Sequence, residues 1–216
     1  MALTRLGGAN AITGTIPQGN IANASLNSVT ALPAAVPVGS FTLISTSNVT
    51  SSVSQVDITS GIDNTYSKYF ISITNLHPSG DATMRMRFFT GSGGSQAVNS
   101  GSNYRTSMIG FRNDRSSEIS HGSSGADNMD AFSTQNIGGG EANESFSATM
   151  FLVNPSSTTY DTMLHGEFSE VDDAARICHG IFSCRYTDTG NAITGLRFYV
   201  SSGTIDNAII KLYGIS

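Results

Sequence analysis

Four histidines, two cysteines and one dense run of carboxylates are the side chains in this sequence with chemistry beyond packing. His77, His121, His165 and His179 fall at intervals that match no HExxH or paired CxxC metal motif. Glu118 with His121, and Asp127 with Asp130, carry ligand-type groups, but in a polar stretch they are expected to be solvated. No metal or other cofactor is expected. Glu167, Glu170, Asp172 and Asp173 form the only carboxylate cluster. Glycoside hydrolysis needs two carboxyls facing each other across a cleft, one of them held protonated. A run at a hairpin turn does not provide that, so these four read as a charged turn. Gly122-Ser-Ser-Gly125 is not a GxSxG nucleophile elbow, since no strand-to-helix context surrounds it. The glycine runs at 91–94 and 138–140 lack the lysine and following helix of a phosphate loop. The chain is expected to be non-enzymatic.

The elements that must position these residues are strands. From Ile62 to Asp81, an Asp63-Asn64 turn leads into a segment in which Tyr69, Ile71 and Ile73 alternate with Phe70, Ser72, Thr74 and Leu76. That period of two puts the two sets on opposite faces. His77-Pro78-Ser79-Gly80-Asp81 ends it, because Pro78 has no ladder N–H and Gly80-Asp81 favours a turn. Thr83 to Thr90 then places Met84, Met86 and Phe88 inward with Arg85 and Arg87 outward, which predicts an antiparallel hairpin between the two segments. Further strands are expected at Phe41–Ser47, Val53–Thr59, Tyr104–Arg112, Phe146–Val153, Thr162–Ser169, Arg176–Tyr186, Gly195–Val200 and Ala208–Gly214. Residues 91–103 read as a flexible loop, and 113–144 as a long polar excursion with a short strand near Glu118-Ile119. No segment has the period of an amphipathic helix. Short strands joined by turn residues predict an all-β fold, an antiparallel β-sandwich of jelly-roll-like type.

Cys178 and Cys184 would lie on one face of a single strand about 20 Å apart, far beyond the ~7 Å reach of a disulfide. They are expected to be buried free thiols, alongside Phe182 and Tyr186 in the core.

Composition narrows the partners. Only 12% of the 216 residues are charged and the net charge is −5, with no basic cluster, which disfavours nucleic acid. No stretch approaches the ~18 apolar residues of a membrane span, and Met1–Gly8 lacks the apolar core of a signal peptide. Residues 1–38 differ from the rest: Ile12, Ile16, Ile21 and Leu26 stand singly among Gly, Asn and Thr, and Pro33 and Pro37 stiffen the end of the segment. Too little apolar surface is present there to offset the entropy of ordering. This segment reads as an extended assembly arm preceding a domain at 39–216.

Three pieces together carry a resemblance: Ile12-Thr-Gly-Thr-Ile-Pro with Leu26-Asn-Ser-Val, the block from Ile62 to Asp81, and Ile193-Thr-Gly-Leu-Arg-Phe-Tyr-Val with Ile210-Lys-Leu-Tyr-Gly-Ile. Over roughly a third of the chain they resemble virion structural proteins of tailed, particularly marine, bacteriophages. The resemblance implies a β-sandwich on the virion surface, a homotrimer held to other virion proteins by its N-terminal arm. A tail fibre or spike for host attachment is the expected type, with capsid decoration as the alternative. Separately, the length of the 113–144 excursion marks Arg115, Glu118, His121, Asp127 and Asp130 as a candidate exposed contact loop; in a glycan-binding-module alternative, the loops at 91–103 and 113–144 contact a host-surface glycan.

Overall fold

The computed structural model describes residues 41–91, 93–130 and 136–216; the arm residues Ile12, Ile16, Ile21 and Leu26 lie outside them. The described chain is antiparallel β-structure without an α-helix. Its strands are β1 (Phe41–Val49), β2 (Gln55–Ile58), β3 (Lys68–Pro78), β4 (Met84–Thr90), β5 (Ala97–Val98), β6 (Tyr104–Arg112), β7 (Ile119–Ala126), β8 (Phe146–Val153), β9 (Thr162–Val171), β10 (Ile177–Tyr186), β11 (Ile193–Val200) and β12 (Ile205–Ile215). They form an unequal sandwich. One sheet has eight strands in the order β1-β12-β3-β8-β9-β10-β6-β7, and the other has four in the order β2-β11-β4-β5. No helix among the described residues is long and apolar enough to cross a membrane.

Alternation places the core between the sheets. Met84, Met86 and Phe88 of β4 and Leu196, Phe198 and Val200 of β11 are buried against Tyr69, Ile71 and Ile73 of β3 and Phe146, Met150 and Leu152 of β8. Four strands cannot cover the inner face of eight. The connection from β7 to β8 helps: Met129, bridged to Met86, and Ile137, bridged to Ala82 and Asp172, are fully buried. Toward one end of the core, Phe88, Tyr104 and Tyr186 pack ring against ring, with centroids 5.0–5.6 Å apart. The Tyr104 hydroxyl accepts from the Phe88 N–H at 2.8 Å and donates to the Asn99 carbonyl at 3.1 Å.

The expected β3–β4 hairpin is not formed. β3 pairs with β12 and β8, whereas β4 pairs with β11 and β5 in the other sheet. The Pro78–Ala82 link crosses between sheets, and Ser201–Thr204 crosses beside it from β11 to β12. The two crossings are tied together: Ser79 N–H donates to Thr204 O at 2.8 Å, Ser201 N–H to Thr83 O at 2.9 Å, and Ser79 Oγ accepts from Thr204 N–H at 2.9 Å. Local periodicity is the same for a hairpin and for a sheet-to-sheet corner, so it could not separate them.

Leu76 is also placed differently. It is fully buried with Tyr69, Ile71 and Ile73 rather than outward with Phe70. Asn75 takes φ = 52°, and the register with β8 shifts between Ile73 and Leu76. One extra residue in a bulge reverses the phase of everything after it. Of the stretch expected to be a flexible loop, residues 93–103 are tied down: they carry a 3-10 turn at Gly93–Ser95 and β5, and Gln96 Nε2 donates to the Thr194 carbonyl at 3.1 Å. The polar excursion is shorter than expected, because Ile119–Ala126 pairs with β6 as a full edge strand.

The two cysteines are buried free thiols on one face of β10, as their spacing predicts. Burial pushes the Cys184 thiol pKa up to about 12. Gly180, between them, does not interrupt the strand, whose register with β6 and β9 runs unbroken through it. It is the seat of the Phe168 ring, and a Cβ there would lie 2.7 Å from two ring carbons.

Candidate functional site

The predicted carboxylate cluster is dispersed by the alternation of β9. Glu167 points outward, Glu170 is buried on the core side, Asp172 is fully buried and Asp173 is exposed. These carboxyls therefore do not face one another across a cleft. Asp172 instead organises the β9–β10 turn, so "charged turn" describes only its exposed part. Asp172 Oδ1 accepts from the Ala174 and Arg176 N–H groups at 3.1 and 2.9 Å. Oδ2 takes the Arg176 guanidinium at 2.7 Å, with Arg112 at 3.5 Å. Arg112, itself buried, also pairs with Asp114 at 2.5 Å. Burial works to raise the Asp172 pKa, but the side-chain and backbone donors of Arg176 outweigh it and hold the carboxyl below its usual range.

The five residues of the expected contact loop do not form one loop. Arg115 and Glu118 lie on the exposed β6–β7 turn and its exit, and His121 is exposed on β7. Asp127 pairs with Arg87 of β4 just past the end of β7, and Asp130 lies 3.6 Å from His121 Nε2. Among the described residues no group of three or more His, Cys, Asp or Glu is arranged to hold a metal ion.

Sequence reasoning missed the most distinctive surface, the outer face of the eight-stranded sheet. Register builds an aromatic row across it. Tyr213 of β12 lies opposite Phe70 of β3, Phe70 opposite Phe151 of β8, and Phe151 opposite His165 of β9. Ring centroids along the row are 5.9, 5.3 and 5.8 Å apart, and Phe41 of β1 packs edge-on to Phe70 at 5.4 Å. Lys68 Nζ lies 4.3 Å over the Phe151 ring, a cation–π contact.

Apolar side chains stand exposed at both flanks of this face. Phe41 and Leu43 occupy the β1 edge, at 51% and 53% exposure. Ile109 and Phe111 of β6, with Ile177 and Ile181 of β10, occupy the other flank, and Phe111 is 64% exposed. Ile181 is directly opposite Ile109 in the ladder.

Between the flanks lie two shallow depressions that meet at Thr149 and Glu167. One, of about 270 Å³, is lined by Ser72, Thr74, Ser147, Ser169 and His179. The other, of about 470 Å³, is walled by Phe151, His165 and Ile181. Thr149 Oγ1 donates to Glu167 Oε1 at 3.3 Å, and Ser169 Oγ lies 3.0 Å from His179 Nδ1. Each of these side chains is the outward member of its alternating pair. In a chain rich in Ser and Thr, only the register across three strands brings them together.

Comparison with protein-family models, curated proteins and solved structures returns no match to this chain.

Proposed function

We propose that this chain is a non-enzymatic structural subunit of a bacteriophage virion. In this reading it is a homotrimeric tail-fibre or spike-type appendage, anchored to other virion proteins through residues 1–38 and exposing the sandwich for host contact. The observation that carries it is the apolar flank of the outer sheet face, Ile109, Phe111, Ile177 and Ile181, with 39–64% of each side chain in water. Large contiguous apolar patches on soluble proteins mark contact surfaces. Full burial of such a side chain is worth about 1.5–3 kcal/mol, so completing the burial of four half-exposed ones yields roughly 3–6 kcal/mol. Association costs on the order of 4–15 kcal/mol, which this flank alone barely meets. A second contact is therefore required. The uncharged segment with Ile12, Ile16, Ile21 and Leu26 is suited to supply it on a neighbouring subunit or virion protein. The dispersal of the carboxylates supports the non-enzymatic part of the reading.

Capsid decoration is the second reading. It is favoured by one feature, the absence from the sequence of heptads or repeats that would build a fibre shaft. Both readings share the assembly contacts and differ in location.

The test is the solution mass of the full chain and of a chain lacking residues 1–38, together with incorporation of each into particles. A trimer that is lost, with incorporation, on truncation is the expected result. A monomeric full chain, or undiminished incorporation of the truncated one, overturns the reading. Electron cryomicroscopy of the particle then assigns tail or capsid by the position of the density.

A further inference from the structure

We propose that the paired depressions on β3, β8, β9 and β10 form a groove for a neutral oligosaccharide, with Glu167 as its central hydrogen-bond acceptor. The proposal rests on the host-contact part of the reading above and gives that contact a site and a ligand chemistry.

Both depressions lie in mid-sheet. β8 is paired on both sides, with β3 and β9, and β9 with β8 and β10. The backbone N–H and C=O groups there are consumed by the ladders, so the groove recognises ligands through side chains alone. An extended peptide, which binds sheets chiefly by adding to an open edge, finds no edge there. A ligand that carries its own donors and acceptors does not need one.

The side chains present complementary groups. Ser72, Thr74, Ser147, Thr149 and Ser169 offer hydroxyls that donate or accept as required. Glu167 accepts only, and its 3.3 Å contact with Thr149 is longer than the ~2.7 Å that a ligand hydroxyl makes to a carboxylate. His179 is engaged by Ser169 through Nδ1, which leaves Nε2 as its second polar atom. In the adjoining depression, Phe151, His165 and Ile181 provide walls for the C–H faces of sugar rings.

Charge selects within the polyhydroxylated ligands. Neither depression is lined by Lys or Arg and both share the one carboxylate; the lysines beside them stand behind the lining, Lys68 with Nζ 4.3 Å over the Phe151 ring and Lys211 across the ladder from Ser72. A uronate or phosphorylated sugar would meet Glu167 without a compensating cation from the lining. A neutral chain meets no such cost. The shallow, open form suits internal units of a polysaccharide rather than an enclosed monosaccharide.

The experiment titrates the full-length chain with maltohexaose, cellohexaose and neoagarohexaose, with hexagalacturonate as the charged comparator, by calorimetry and saturation-transfer NMR. At least one neutral oligosaccharide is expected to bind, and hexagalacturonate is expected not to. Glu167→Gln removes a charge-assisted acceptor and weakens binding about ten- to a hundredfold. His179→Ala weakens it too, while Gln55→Ala on β2 of the four-stranded sheet leaves it unchanged. No binding of any neutral member, preference for hexagalacturonate, or binding indifferent to Glu167→Gln and His179→Ala would each overturn the proposal. Solution mass and particle incorporation of the same variants are read in parallel. The groove variants are expected to assemble normally, so failure of the groove is distinguishable from failure of the assembly reading.

Discussion

Replacing Asp172 with Asn perturbs the most concentrated electrostatics in the domain. The carboxylate is fully buried and faces Arg176 at 2.7 Å and the buried Arg112 at 3.5 Å. Removing one partner of a buried ion pair costs about 3–5 kcal/mol, because the remaining charge stays buried without compensation. Two features argue for the lower end of that range. The Asn carbonyl can still accept from the Ala174 and Arg176 N–H groups, and Arg112 keeps Asp114 at 2.5 Å. About 3 kcal/mol is therefore expected, or roughly 6–12 °C in Tm for a domain of this size. Denaturant unfolding followed by tyrosine fluorescence measures it. The pH dependence supplies an independent check. The Asp172 pKa is lowered in the folded state, so its contribution is fully present above the ordinary carboxylate value of about 4 and is lost as pH falls through the folded value below it. The gap between wild type and Asp172→Asn should be constant near neutrality and close progressively in acid. A loss below about 1 kcal/mol, or a gap that persists unchanged to the lowest pH, would refute the claim that this pair organises the turn.

Two further predictions follow from the core of the large sheet. Gly166→Ala and Gly180→Ala should both destabilise, the first by more. A Cβ at 166 would lie 2.0 Å from the Thr149 carbonyl oxygen and 2.8 Å from Met150 Cα, both backbone, whereas at 180 it would meet two Phe168 ring carbons at 2.7 Å, which can shift, and the Ile109 carbonyl oxygen at 2.8 Å, a milder backbone overlap. About 1–3 kcal/mol is expected for Gly180→Ala, with a larger fall in the denaturation midpoint for Gly166→Ala. Cys184, with its pKa pushed up to about 12, and the equally buried Cys178 should both resist thiol reagents at pH 8 in the native protein and react in denaturant. Rapid native-state labelling of either would contradict their placement in the core.

Much of the fold is legible in the sequence because each strand carries its own alternation. Tyr104–Arg112 and Phe146–Val153 have the bounds their patterns predict, and the β9–β10 pairing around Glu170–Asp173 follows from adjacency along the chain. What alternation does not encode is the partner. β4 has the same pattern whether it folds back on β3 or crosses to β11, and the decision rests on contacts with residues over a hundred positions away. Asn75 illustrates a second limit. Nothing local distinguishes Asn in a strand from Asn in a left-handed bulge, yet that one φ moves Leu76 from the outer face to the core. The edge strand β7, Ile-Ser-His-Gly-Ser-Ser-Gly-Ala, was legible only at its first residues, since its small polar side chains carry almost no apolar period. The groove was invisible for a related reason. Its Ser, Thr, Glu and His occupy ordinary outward positions on separate strands, and what makes them a site is register.

The described strand that comes last in chain order is not at the rim of the large sheet. β12 lies between β1 and β3, pairing with both along nearly its full length. Until Ile205–Ile215 has been made, β1 has no partner and β3 has one open side. The nascent chain thus carries two open strand edges, β1 and β3, facing one unfilled slot until β12 is made, the condition that invites pairing with another chain. Closure of the sheet is an insertion, with β12 filling a gap rather than extending an edge. Polysomes crowded with copies of this chain would hold many such gaps beside completed β12 strands. The earliest opportunity for one copy to engage another therefore arises while the fold is still one strand short.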